Sequence, residues 1–153
     1  MPAFRLVLLC LCALLAACVA TPQGPSVQNA TDERFEPVPG QAVLYIYRLG
    51  LNNNVIVLQV NGKTLGESLP GTYFRVVAPP GEQIVQGVDS DQGKIQLSVP
   101  AGGIGYVRND PYGGLSEMQS RFTIIPAGVA QKEILGCCSL LDNYAPGQRR
   151  LLF

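Results

Sequence analysis

Ala42-Val43-Leu44-Tyr45-Ile46-Tyr47-Arg48 is the stretch on which the fold turns. It is apolar on both faces and built from strong β-formers, which suits a strand covered on two sides, in the middle of a sheet or sandwich. Downstream, short apolar runs alternate with turn residues. Residues 55–61 place Ile56, Leu58 and Val60 on one face and then meet Asn61-Gly62 ahead of Lys63-Thr64-Leu65. Asn-Gly between apolar runs predicts a hairpin, because both residues tolerate the positive φ of a type I′ turn. Residues 71–78 (GTYFRVVA) read as a further strand, stopped by Pro79-Pro80-Gly81, with residues 82–89 as its partner. Residues 94–99 alternate, with Ile95, Leu97 and Val99 inward and Lys94, Gln96 and Ser98 outward. Residues 104–108 follow a turn at 100–103, and residues 118–124 alternate again through Ser120 and Phe122.

Seven strands at a spacing of about ten residues predict an all-β fold, an antiparallel β-sandwich or small barrel, in preference to alternating strands and helices. Past Pro126 the strand pattern stops. Residues 127–135 (AGVAQKEIL) set Ala130 and Ile134 one turn apart, and Gly136 is placed to terminate a short C-terminal helix. The domain is expected to run over residues 41–136, with 137–153 as a tail. The closing Arg149-Arg150-Leu151-Leu152-Phe153 lacks the alternation of a membrane barrel strand.

Upstream lies a different kind of chain. Residues 19–40 (VATPQGPSVQNATDERFEPVPG) hold four prolines and no apolar period, the composition of a linker. Before them, Arg5 precedes the apolar run LVLLCLCALLAA at 6–17. As a helix it would span about 18 Å, against a bilayer core of roughly 30 Å, so it reads as a secretory h-region. Leu15-Ala16-Ala17-Cys18 resembles the bacterial lipobox. The resemblance implies a signal peptide over 1–17, cleavage between Ala17 and Cys18, acylation of Cys18 and an acylated tether over 18–40. It also implies a lipid-anchored place in the cell envelope. Val19 after the cysteine, where aspartate would signal retention, favours the outer membrane facing the periplasm over the inner membrane. Two or three acyl chains, at about 0.8 kcal/mol per buried methylene, hold a protein durably.

The five cysteines shrink on this reading. Cys10 and Cys12 leave with the signal and Cys18 is alkylated, so only Cys137 and Cys138 remain as thiols. Two adjacent sulfurs do not complete a four-coordinate metal site. A bond between them would be strained and reducible, since neighbouring Cα atoms sit about 3.8 Å apart and disulfides favour about 4.4–6.8 Å. Copper binding or redox sensing by the pair is the sharper alternative; two half-buried small residues, or one intermolecular disulfide, is the plainer expectation.

The block from about Gln41 to Leu135 resembles the bacterial envelope family called domain of unknown function 2846. The likeness rests on Tyr45-Ile46-Tyr47-Arg48, the strand and turn VNGKTLGES, the block GTYFRVVAPPGEQIV, and Gly105-Tyr106-Val107-Arg108 in that order. It implies a β fold and an envelope location. The family brings no catalytic residues.

Chemistry is limited by what is missing. The chain contains no histidine, which removes Ser-His-Asp and Cys-His catalysis and histidine-containing zinc sites. Eleven basic and eleven acidic side chains leave zero formal charge, against the electrostatics of a nucleic-acid binder. The 47% apolar content is inflated by the first eighteen residues. Asp89 and Asp91 belong to a DSDQG turn, incomplete as a calcium loop and expected to face solvent. Residues 110–114 (DPYGG) read as a long turn, and Gly102-Gly103-Ile104-Gly105 lacks the helix that makes a phosphate loop. Tyr45, Tyr47, Tyr73 and Tyr106 with Arg48, Arg75 and Arg108 are candidates for a sugar- or peptidoglycan-binding surface, although half of such strand residues should fill the core.

The resulting expectation is a non-catalytic, lipid-anchored β-sandwich that binds or scaffolds an envelope protein or peptidoglycan, without a cofactor. A carboxylate-dependent envelope hydrolase subunit would instead require two close, buried acids in a cleft. A small-ligand carrier would require an open apolar cavity between the sheets.

Overall fold

The computed structural model describes residues 35–50, 54–114 and 117–141. The signal peptide, Ala17, Cys18 and the 149–153 tail lie outside the described residues.

The decisive strand β1, Ala42–Arg48, has all seven residues buried. It is followed by β2 (Ile56–Val60), β3 (Lys63–Ser68), β4 (Thr72–Ala78), β5 (Gly81–Gly87), β6 (Lys94–Val99), β7 (Ile104–Gly113), β8 (Met118–Ile124), helix α1 (Ala127–Cys137) and β9 (Ser139–Leu140). They form two sheets: a first in the order β8-β7-β1-β4-β9 and a second in the order β3-β2-β5-β6. The fold is the expected all-β sandwich with a short C-terminal helix. At the β2–β3 hairpin Asn61 and Gly62 both take positive φ, 50° and 77°, as a type I′ turn demands.

The alternation of β1 builds three layers. Ala42, Leu44 and Ile46 face the second sheet and join Leu58, Val85 and Val107 in the inter-sheet core. Val43, Tyr45 and Tyr47 face the other way, under Ala130 and Ile134 of α1. Burial on both faces explains the apolar run from Ala42 to Ile46, and each large apolar side chain so buried contributes about 1.5–3 kcal/mol.

Several boundaries move. Residues 35–40, expected in the tether, pack onto the domain, because Phe35 and Val38 cover the tyrosine face of the first sheet. The tail expected from 137 instead starts with the last helical residue, Cys137, and with β9, which pairs with Thr72 and Tyr73 of β4. Gly136 lies inside the helix rather than ending it. The expected turn at 110–113 is a continuation of β7, paired with β8 through Pro111↔Ser120. Proline is tolerated there because β1 pairs with β7 only as far as Arg108, so the missing N–H costs no ladder bond.

Two pairings are parallel, β1 with β7 and β4 with β9, where antiparallel ones were expected throughout. β7 arrives from a strand of the opposite sheet, so no hairpin constrains its direction.

Candidate functional site

The tyrosines meet, but not as a surface. Tyr45, Tyr47, Tyr73 and Tyr106 are 0–3% exposed, packed between β1, β4 and β7 beneath α1 and Phe35. Tyr45 lies 5.5 Å from Tyr106 and 5.8 Å from Tyr73, and Phe35 closes over both Tyr45 (5.2 Å) and Tyr106 (6.1 Å). Buried rings offer no stacking face to a sugar, so the ligand surface expected from them does not form. Their hydroxyls anchor the covering layer instead: Tyr45 accepts from the Phe35 N–H at 2.8 Å, and Tyr106 accepts from Gln131 Nε2 at 2.8 Å.

The arginines separate. Arg48 turns into the interior at 1% exposure, where its Nη1 donates to the Ser68 carbonyl at 2.9 Å and ties the first sheet to the second. Burial lowers its pKa to about 10, which leaves it charged at neutral pH. Arg75 is half-buried and donates to the Glu36 carbonyl at 3.3 Å, holding the incoming N-terminal segment. Arg108 joins a charged cluster of mixed sign. Its Nε donates to Asp110 at 2.9 Å and its Nη1 to Glu133 at 3.2 Å, while the Tyr47 hydroxyl donates to the other Glu133 oxygen.

This cluster joins α1 to β1 and β7. The hydrogen bond that Arg108 donates to Asp110 raises the pKa of Arg108. Burial, followed by the bond to Glu133, raises that of Tyr47, and burial raises that of Tyr106. Glu133 was missed from the sequence because its partners lie 86 and 25 residues away, and nothing in AGVAQKEIL marks it. Asp110 and Glu133 share one guanidinium and remain partly open to solvent, at 33% and 26% side-chain exposure. They are therefore unlike the desolvated pair that general acid–base hydrolysis needs.

Asp91 is buried, contrary to its expected exposure. Its Oδ1 accepts from the Gly93 and Ser120 N–H groups at 2.9 and 2.7 Å, linking the β5–β6 connection to β8. Asp89 stays exposed in the turn. Cys137 and Cys138 are bonded to each other through their sulfurs, the strained pairing of the alternatives weighed above and not the plainer one. Among the described residues, no three acidic or cysteine side chains gather where they could hold a metal ion.

A concave feature lies elsewhere among the described residues. A groove of about 450 Å³ opens between the ends of the two sheets, lined by Leu97, Val99 and Pro100 on one side and by Ile104, Ile124 and Ile125 on the other. β8 pairs with β7 only from Val107 onward, so Ile104 and Gly105 face the groove without a β8 neighbour. Gly105 forms its narrow part, since a Cβ there would come within 2.8 Å of Val99 Cγ2. The sequence held the apolar residues of this groove but not their meeting, which depends on where β8 stops.

Comparison of the chain with known protein families, with characterised proteins and with solved structures finds no match. Among the described residues no helix is long and apolar enough to cross a membrane.

Proposed function

We propose that this chain is a lipid-anchored protein of the bacterial envelope whose β-sandwich is a non-catalytic binding or scaffolding module. The observation that carries the reading is Leu15-Ala16-Ala17-Cys18 at the end of a twelve-residue apolar run, followed at once by a proline-rich polar segment. The resemblance to domain of unknown function 2846 supports the same location. Anchoring by lipid suits a chain of zero formal charge, which has no net electrostatic attraction to a membrane. The mechanism is localisation: acylation at Cys18 holds the protein at the membrane, the outer one facing the periplasm, and the sandwich presents its edges and loops to an envelope protein or peptidoglycan.

Replacing Cys18 with Ala tests this reading. The variant is expected to lose metabolic labelling with an alkyne fatty acid and to move from the membrane pellet to the soluble fraction. A Cys18→Ala protein that is still labelled and still pellets overturns the anchor.

A second reading, a carrier of a small apolar ligand, is favoured by the groove between Leu97, Ile104 and Ile124. Its volume lies within the roughly 300–1,000 Å³ of ligand sites.

A further inference from the structure

Cys137 and Cys138 stand where the helix ends and the sheet resumes. Cys137 is the exposed last residue of α1, while Cys138 takes extended backbone, φ −125° and ψ 137°, with its N–H still donating to the Ile134 carbonyl at 3.0 Å. One residue further, the Ser139 N–H donates to the Gly71 carbonyl at 3.0 Å, and the Leu141 N–H donates to the Tyr73 carbonyl at 2.8 Å. These bonds lay β9 along the edge of β4. With only two paired residues, β9 has little of its own to hold it there. The sulfur–sulfur bond closes a small ring around the peptide at which helix becomes strand.

We infer that the Cys137–Cys138 bond is a redox-operated clasp that fixes β9 on the edge of the first sheet and releases it when a dithiol reduces the pair. The exposed Cys137 sulfur is the accessible one. A thiolate of the dithiol attacks it, and the sulfur–sulfur bond breaks with its electron pair passing to Cys138 Sγ, which takes up a proton. The second thiol of the reductant then displaces Cys137, which is protonated in turn. Two electrons and two protons have passed to the protein, and the reductant leaves as its own disulfide. Covalent adjacency holds the two Cα atoms at 3.7 Å, shorter than the roughly 4.4–6.8 Å usual for disulfides, which favours opening. Once open, Cys138 regains its backbone freedom, and β9 depends on its two backbone hydrogen bonds and the packing of Leu140. Its release uncovers the Thr72–Tyr73 end of β4, where β9 pairs, and extends the open edge of that strand. The inference is independent of lipid anchoring.

The test uses the full chain prepared without reductant. Iodoacetamide followed by peptide mapping is expected to leave Cys137 and Cys138 unmodified, and to label both after treatment with dithiothreitol. On reduction, the Ser139 and Leu141 amides are expected to exchange with deuterium at least about tenfold faster, while those of β1 keep their protection. A Cys137→Ser/Cys138→Ser chain should show the fast exchange with or without dithiol. Labelling of both cysteines before reduction, a dimer that dithiothreitol separates, or amide exchange unchanged by reduction would each overturn the clasp.

Discussion

One oxygen of Asp91 carries two backbone donors, Gly93 N–H from its own turn and Ser120 N–H from β8. The contact joins the two sheets at an edge, and the neighbouring glycines are what let it form. A Cβ on Gly87 would lie 2.0 Å from Asp91 Oδ2, and one on Gly93 would lie 2.1 Å from the Ser120 carbonyl oxygen. Asp91→Ala leaves both donors buried and unpaired, and is expected to cost about 1–3 kcal/mol. Urea unfolding measures this as a lower midpoint with an unchanged slope. Asp91→Asn keeps an acceptor oxygen and should lose less. An alanine variant within a few tenths of a kcal/mol of wild type would remove Asp91 from the account. The DSDQG stretch announced the turn but not the burial, because the Ser120 partner lies 29 residues downstream.

At the scale of elements, legibility followed locality. β1 could be read as doubly covered because seven adjacent residues carry the signal, and β6 because its alternation is complete within six. The helix could be placed from Ala130 and Ile134, both buried as the one-turn spacing predicts. Its attachment could not. Tyr47 was read as a surface aromatic or as core filling, and it is a core ring whose hydroxyl grips Glu133. Burial of the ring, with the bond to Glu133 second, sets a pH dependence. Tyr47 and Tyr106 are acids whose folded pKa lies above the ordinary value of about 10. The folded state therefore keeps protons that the unfolded state gives up, and the associated stability is complete below about pH 10 and lost as the pH rises beyond it. Urea midpoints between about pH 8 and 11 should stay level and then fall. Tyr47→Phe should start lower and fall less steeply, having lost the hydroxyl and with it one of the two titrations. Equal alkaline slopes in the two proteins would show that the Tyr47 hydroxyl does not titrate above the ordinary tyrosine range in the folded protein.

Across the whole molecule, the sequence predicted two sheets but not the gap between their ends. That gap follows from three long-range facts: β6 is an edge strand, β7 enters parallel to β1, and β8 stops at Ile124 opposite Val107. The result is a groove with Ile124 on its rim, 50% exposed and carrying no burden in the core. The carrier reading can therefore be tested without unfolding the protein. An apolar naphthylamine dye should brighten in the presence of the full chain, because the groove removes it from water. Ile124→Glu places a charge on the rim, and a loss of about 1.4 kcal/mol in dye binding corresponds to a tenfold weaker Kd. An equivalent change at Val77, which is 46% exposed on β4 and not among the residues lining the groove, should leave dye binding as it was. If Val77→Glu weakens the dye as much as Ile124→Glu does, the dye reports general surface apolarity and the carrier reading falls. If only Ile124→Glu weakens it, the opening between the sheets is a binding site, and the carrier reading outranks that of a scaffold without a ligand.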